Sequence, residues 1–300
     1  MTTLRTILCP IDFSDQSRRA LRWAEALASR HRSRLIVLTA VDPLLAEAAK
    51  VRLGLDLCAT EVEPALREFV RTTWRDEIRG GDAVFHVRVG DPANVILDAA
   101  TDGVDLVVMG THGLGGFRKW LLGSTTQRVL RRTRTPLLTV PAVSAESTTP
   151  DVGVAEVNGS ILAASDLSDA SVHAMRWAAQ FATEYDVLLL LAHVVEPVVV
   201  APQWRPYVQD TDEGRVAAAR ERLEQFAQQI CSGPCETLVS LGRPEDAIAS
   251  IAEERNAALI VMGLGGGRGL LVPRPGSIVY RVLCVASAPV VVVPPEPLVP

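Results

Sequence analysis

The chain is written twice. Ile7-Leu8-Cys9-Pro10-Ile11-Asp12-Phe13-Ser14-Asp15 returns as Ile161-Leu162-Ala163-Ala164-Ser165-Asp166-Leu167-Ser168-Asp169, and Arg22-Trp23-Ala24 returns as Arg176-Trp177-Ala178. Further on, Val41-Asp42-Pro43 matches Val195-Glu196-Pro197, Gly90-Asp91-Pro92 matches Gly242-Arg243-Pro244, and Val108-Met109-Gly110 matches Val261-Met262-Gly263. The offset barely drifts, so the halves align almost without gaps, and the fold must be one that half a chain can complete. A chain of 300 residues meets the usual size prior for two domains. The expected division is 1–141, a linker over 142–158, and 159–300. Within the linker, Ser144, Ser147, Thr148, Thr149 and Pro150 show no apolar periodicity.

Inside one half, apolar runs alternate with helical patterns. Thr6-Ile7-Leu8-Cys9-Pro10-Ile11-Asp12 reads as an apolar strand that stops at a carboxylate. Phe13 to Ser17 supplies turn and N-cap chemistry, and Ala20, Leu21, Ala24, Leu27 and Ala28 then recur at helical spacing. Arg34 to Val41 is a second strand. A helical pattern covers Leu44 to Arg79, with Glu61, Glu63, Arg67 and Glu68 on its solvated face. Val84 to Val89, Val104 to Val108 and Pro136 to Pro141 complete five strands, with a helix through Val95, Ile96 and Ala99 and another from Thr125 to Leu130. Continuous apolar strands separated by helices predict an α/β fold: two tandem doubly wound, Rossmann-like domains, each a five-stranded parallel sheet flanked by about four helices. Trp23 and Trp177 fall near the apolar faces of their helices and are expected to pack.

The feature that carries chemistry is glycine punctuation after the fourth strand. Gly110-Thr111-His112-Gly113 is followed by nine residues and then Gly123-Ser124; Gly263-Leu264-Gly265-Gly266 is followed by nine residues and then Gly276-Ser277. Glycine leaves room where a Cβ would block a ligand. A helix that starts just after such a loop offers unpaired N–H groups and the positive end of its dipole, so an anion such as phosphate is the natural occupant. One such array is a weak signal, because glycines after a strand often only make a turn. Two in register, each paired with an aspartate after the first strand, point to one shared site geometry. Asp12 and Asp166 could instead cap the following helix, but Ser14 and Ser168 are better placed for that. His112 has no partner carboxylate nearby and no counterpart in the second half, where Gly265 stands, so it is read as a loop residue.

Several classes are excluded. The net charge of −5 provides no basic field for nucleic acid. The most apolar region, Val187 to Val200, is interrupted by His193, Glu196 and Pro197 and falls short of the ~20 residues of a membrane span. Met1 to Arg5 runs directly into a short apolar run broken by Pro10 and Asp12, so no secretory signal is expected and the chain reads as soluble and cytoplasmic. Cys9, Cys58, Cys231, Cys235 and Cys284 form no metal-binding pattern. Cys231 and Cys235 could in principle act as a redox pair, but the Ser-Gly-Pro between them reads as a turn, and incidental reduced thiols are the expectation.

At the glycine arrays and the paired aspartates the chain resembles the universal stress protein family, and within it the tandem-domain, ATP-binding members. The resemblance covers nearly the whole chain apart from the linker and the stretches after each second strand. It implies an adenine nucleotide alpha hydrolase-like fold and a nucleotide site in each half. In the first half, Gly110, Gly113, Gly123, Ser124 and Thr125 would contact the ribose and phosphates, Asp12 the nucleoside, and Pro10, Ile11 and Ala40 the base. In the second, the equivalents are Asp166, Val194, Gly263, Gly266, Gly276, Ser277 and Ile278. A carboxylate can accept from ribose hydroxyls or the adenine amino group, and a serine at a helix start can donate to phosphate. Ala164 replaces Pro10, and Pro273 and Pro275 enter the second loop, where they remove donors and stiffen it. A weaker or differently shaped second site is therefore expected.

The resemblance implies an ATP-binding stress or signalling regulator, with Mg2+ arriving on the nucleotide. No Walker lysine follows Gly123 and no cluster of metal-binding carboxylates is evident, so at most slow hydrolysis is expected. The alternatives are a ligand-free dimerisation scaffold and an adenylate-forming or ATP-hydrolysing enzyme of related fold. In the family the short last strands pair across a dimer axis. Pro136 to Pro141 and Pro289 to Val293 are thus expected to join the two domains as an intrachain pseudo-dimer, with a homodimer and a protein partner left open.

Overall fold

The computed structural model describes residues 4–74, 83–101, 103–112, 122–142, 159–207, 209–265 and 277–296. The chain divides into two compact units, Thr3–Glu156 and Val157–Pro300.

The first unit runs β1 (Thr6–Pro10), α1 (Asp15–His31), β2 (Arg34–Val41), α2 (Pro43–Leu53), a π-helical turn (Cys58–Val62), α3 (Glu63–Thr73), β3 (Ala83–Val89), α4 (Pro92–Ala100), β4 (Leu106–Gly110), α5 (Ser124–Leu130) and β5 (Leu137–Val140). Its strands lie in the order β3-β2-β1-β4-β5, all parallel, as in Ile7 beside Leu35 and Leu106. Both faces are covered: Ile7, Leu8 and Cys9 of β1 are fully buried, as are Val107 and Val108 of β4. That is why these strands read as unbroken apolar runs rather than as alternation.

The second unit repeats the plan with β6 (Ser160–Ala164), α6 (Asp169–Tyr185), β7 (Leu188–Val195), a 3-10 turn (Pro202–Tyr207), α7 (Gln209–Ile230), β8 (Cys235–Leu241), α8 (Pro244–Glu254), β9 (Ala257–Gly263), α9 (Ile278–Val285) and β10 (Val290–Val293). The order is β8-β7-β6-β9-β10, again parallel. In each unit the chain winds outward from the first strand, then returns to pair the fourth strand with that strand's other edge. The winding reverses between β1 and β4, and between β6 and β9, which opens a crevice at their carboxyl ends.

The connection after β2 departs from the expected single helix. Gly54 takes a left-handed backbone (φ +66°) and caps α2, its N–H donating to Lys50 O. The π-helical turn then restarts the chain into α3, giving five helices among the described residues of this unit rather than about four. In the second unit the same interval holds the 3-10 turn and one 22-residue helix, α7. The expected solvated face is present on α3, with Arg67 paired to Glu63 and Arg71 to Glu68, each at 2.7 Å. Trp177 is buried and stacks on Phe181 with centroids 4.9 Å apart, while Trp23 is half-buried. The stretch 143–158 lies outside the described residues, and among those described no helix is long and apolar enough to cross a membrane.

Candidate functional site

Each crevice is edged by a turn that both units build in the same way. Asp12 Oδ1 accepts from Ser14 N (3.1 Å) and Ser14 Oγ (2.5 Å); Asp166 Oδ1 accepts from Ser168 N (3.0 Å) and Ser168 Oγ (2.5 Å). The residue between aspartate and serine is left-handed in both, Phe13 at φ 65° and Leu167 at φ 59°. A side chain bearing a Cβ pays about 1–2 kcal/mol for that conformation. What the tight turn gains is a short path from strand to helix that holds the carboxylate, exposed in both units, at the strand's carboxyl end. The aspartates do not cap the helices: Ser14 is the N-cap of α1, its Oγ accepting from Ser17 N at 3.1 Å, and Ser168 occupies the same position on α6.

The carbonyl before each aspartate is held from the second strand. Thr39 Oγ1 donates to Ile11 O (2.9 Å), and His193 Nδ1 lies 2.8 Å from Ser165 O. Facing a carbonyl, Nδ1 must carry a proton, and in the neutral ring Nε2 is then an acceptor. Threonine and histidine thus do one positioning job, and only the histidine brings a second functional atom.

On the other side of the crevice, Gly110, Gly123, Ser124 and Thr125 come together at the end of β4. Gly123 N donates to Thr111 O (2.7 Å), Thr126 Oγ1 donates to Gly110 O (2.9 Å), and Gly123 caps α5, whose first residue is Ser124. Glycine at position 110 has a local reason: a Cβ there would lie 2.9 Å from Gln16 Cβ and 3.2 Å from the Gln16 backbone, so β4 needs it to pass the first turn of α1. In the second unit Ser277 is itself the N-cap of α9, its Oγ accepting from Tyr280 N at 3.3 Å, which leaves its hydroxyl proton to donate. His112 Nδ1 sits 3.0 Å from Thr111 Oγ1, and its Nε2 is buried without a hydrogen bond among the described residues.

The second unit encloses a cavity of about 650 Å³, within the range of small-molecule sites. Asp166, Val194, Gly263, Ser277 and Ile278, every described member of the expected second site, line it. So does His193. The wall that sequence reasoning missed is α7, which contributes Arg215 and Arg222 with Ala218 and Ala219 between them. Arg215 Nη1 donates to Glu196 O (2.9 Å) and pairs with Asp212, and Arg222 Nη2 donates to Leu167 O (3.1 Å). The spacing was a usable signal: two arginines seven residues apart share a helix face, and alanines between them leave that face open. Their low surrounding hydrophobicity makes the segment read as a solvated face instead.

Pro10, Ile11 and Ala40 stand at the carboxyl ends of β1 and β2, Ile11 buried and joined by its N–H to Leu38 O at 2.7 Å. Gly113, Gly266 and Gly276 lie outside the described residues, as do Trp120, Leu121, Pro273 and Pro275. The cavity residues include two cations, two carboxylates, an imidazole acceptor and a serine-capped helix start around apolar walls from Ile248, Met262 and Leu264. Such a set can hold a polar, anionic ligand with one flat apolar portion. Among the described residues no group of three or more histidine, cysteine or carboxylate side chains could hold a metal ion.

Comparison with known proteins agrees with this architecture. The profile of the universal stress protein family matches residues 3–141 and 158–294. A universal stress protein of Mycolicibacterium smegmatis is 26% identical over 295 residues, covering 97% of each chain. One of Thermus aquaticus is 35% identical over 145 residues, 45% of this chain and 98% of its own. The crystal structure of a universal stress protein from Archaeoglobus fulgidus superposes with a TM-score of 0.63 at 20% identity, covering 96% of this chain and 98% of that one.

Proposed function

The chain belongs to the universal stress protein family, with two tandem copies of its domain, and from that premise we propose that it is an ATP-binding regulator rather than a fast ATPase. The observation that carries the reading is the cavity of the second unit. It is large enough for a nucleotide, it lies at the crevice where the winding reverses, and five residues expected from the resemblance to contact nucleotide line it together. Asp166 would accept from the ribose hydroxyls, and its Oδ2 makes no hydrogen bond among the described residues. Ser277 and the first N–H groups of α9 would meet phosphate oxygens, and Met262, Val194 and Ile248 would flank the base. Mg2+ would travel with the phosphates and neutralise their charge. The equivalent reading for the first unit uses Asp12, Gly110, Gly123, Ser124 and Thr125.

Mass spectrometry of small molecules released from protein purified without added nucleotide, followed by titration with Mg-ATP, tests the proposal. Release of an adenine nucleotide is expected, together with a loss of affinity of about tenfold or more in Asp166→Ala. Protein that carries no nucleotide and whose unfolding midpoint ignores millimolar ATP would instead be a ligand-free scaffold. Turnover well above a no-protein control, abolished by the same substitution, would make it an enzyme. The joining of the two domains through their last strands is proposed from the family resemblance; charged substitutions at Leu138 and Val291 that left solution scattering unchanged would refute it.

A further inference from the structure

Cys231 and Cys235 stand at the end of the second unit opposite the cavity's crevice, between α7 and β8. Cys231 follows the last residue of α7 and donates its N–H to Ala227 O, so it closes the helix's final turn. Cys235 is the first residue of β8. Between them the Ser232-Gly233-Pro234 turn reverses the chain, and Pro234 O accepts from Leu189 N to dock it on β7. The result is that the two sulfurs lie 2.7 Å apart, both as free thiols and both half-buried. A covalent S–S bond is about 2.05 Å. Closing the remaining gap needs only a small rotation of the two side chains, and partial exposure leaves room for a small reagent.

We propose that Cys231 and Cys235 form a reversible redox pair that joins the carboxyl end of α7 to the start of β8, with low-molecular-weight disulfides as the oxidant. The exchange balances in two steps. The thiolate of Cys231 attacks one sulfur of RSSR, forming a mixed disulfide and releasing RS−. Cys235, deprotonated by solvent base, then attacks Cys231 Sγ, forming the internal bond and releasing the second RS−. Two cysteine thiols lose two electrons, RSSR gains them, and the two thiol protons end on two RSH.

The surroundings set the order and the speed. Burial pushes both thiols up, Cys235 to about 12 with its neighbour's hydrogen bond and charge adding to the effect. On Cys231 the burial is partly offset, because its thiolate would accept a hydrogen bond from Cys235. Cys231 is therefore the first nucleophile. Raised thiols are scarce as thiolates at neutral pH, so the pair reacts slowly, and a high-pKa thiol is a poor leaving group, so the bond once made resists reduction. This is a slowly written mark rather than a peroxide sensor. It sits on the helix that carries Arg215 and Arg222, so oxidation fixes the far end of a cavity wall.

The test uses the full chain with oxidised glutathione, then N-ethylmaleimide, digestion and peptide mass spectrometry. The expected product links Cys231 to Cys235 internally, reverts with dithiothreitol, and forms at a rate that rises about tenfold per pH unit between about pH 7 and pH 9. In Cys231→Ser and Cys235→Ser the remaining cysteine should instead keep glutathione as a persistent adduct. Stable glutathione adducts on Cys231 or Cys235 of the unaltered chain, or maleimide on both after prolonged oxidation, would overturn the proposal.

Discussion

The two units share a backbone device and surround it differently. After β1 the left-handed Phe13 is 38% exposed and packs edge-on against Phe69 of α3, with centroids 5.5 Å apart, while Arg18 lies over the same ring at 4.2 Å. After β6 the left-handed Leu167 is buried, and what α7 brings to it is Arg222, donating to its carbonyl. One wall is an aromatic clasp and the other a cation beside a cavity. The turn is what the duplicated sequence retained, and the element laid against it is what diverged.

A second exchange follows the same rule. In the first unit Asp91, N-cap of α4, takes a bidentate pair from Arg128 of α5, at 2.7 Å for each bond, and that contact holds the Asp91 carboxyl below its ordinary range. At the matching place in the second unit stands Arg243. The acid has moved to Glu245, whose side chain is 5% exposed and lies 3.1 Å from both Arg243 and Arg281 of α9. Both arrangements tie the helix after the glycine array to the helix before it, one on the surface and one buried.

The largest test of this contrast is Phe69→Ala against Arg222→Ala. Truncating a buried aromatic should cost the first unit about 3–5 kcal/mol, read as a lower denaturant midpoint. Arg222→Ala should cost about 1 kcal/mol or less, the worth of one hydrogen bond from an exposed side chain, while weakening ligand binding measurably. Equal stability losses would erase the distinction between a packing wall and a binding wall. Next in size, Glu245→Ala should destabilise by about 1–3 kcal/mol, because it leaves a buried gap and removes the carboxylate that Arg243 and Arg281 share. Arg128→Ala, which removes an exposed pair but leaves Asp91 capping α4, should have the smaller effect and lose it in high salt. Thermal melts of both variants at two salt concentrations decide the matter.

The smallest effect concerns pH. His86 of β3 is held below its ordinary range, first by burial and then by the charges of Arg88 and Arg34. The unfolded chain therefore binds this proton more readily than the folded one. The contribution is present above the unfolded value of about 6.5 and is lost as pH falls through it toward the folded value. The second unit has Leu238 at the matching position in β8. His86→Leu should flatten the decline of the first unit's melting temperature between pH 7 and pH 5; an unchanged slope would assign that decline to other groups.

The strands were legible because burial on both faces writes them as apolar runs, and β2 runs from Arg34 to Val41 as read. The break at Gly54 was not, since one glycine inside a helical pattern is as often tolerated as terminal, and only its left-handed backbone decides. The aspartate and glycine positions could be read because the repeat aligned them. The repeat does not point to Arg215 and Arg222, because α7 lies in the interval where the copies differ, and only their own seven-residue spacing marks them. The Ser-Gly-Pro turn is legible in the sequence, but that it brings the Cys231 and Cys235 sulfurs to 2.7 Å is visible only in the structure.

The parallel order of the strands also governs how the chain can be made. Ile7 pairs with both Leu35 and Leu106, so the central strand of the first unit emerges early and waits through most of its domain for its second neighbour. Such distant pairings make folding slow. During synthesis the near-copy β6 follows with the same apolar pattern and the same appetite for a fourth strand, so a delayed β4 leaves two similar edges competing for it. The duplication therefore also sets a deadline: each unit must close its own sheet before its twin offers a substitute.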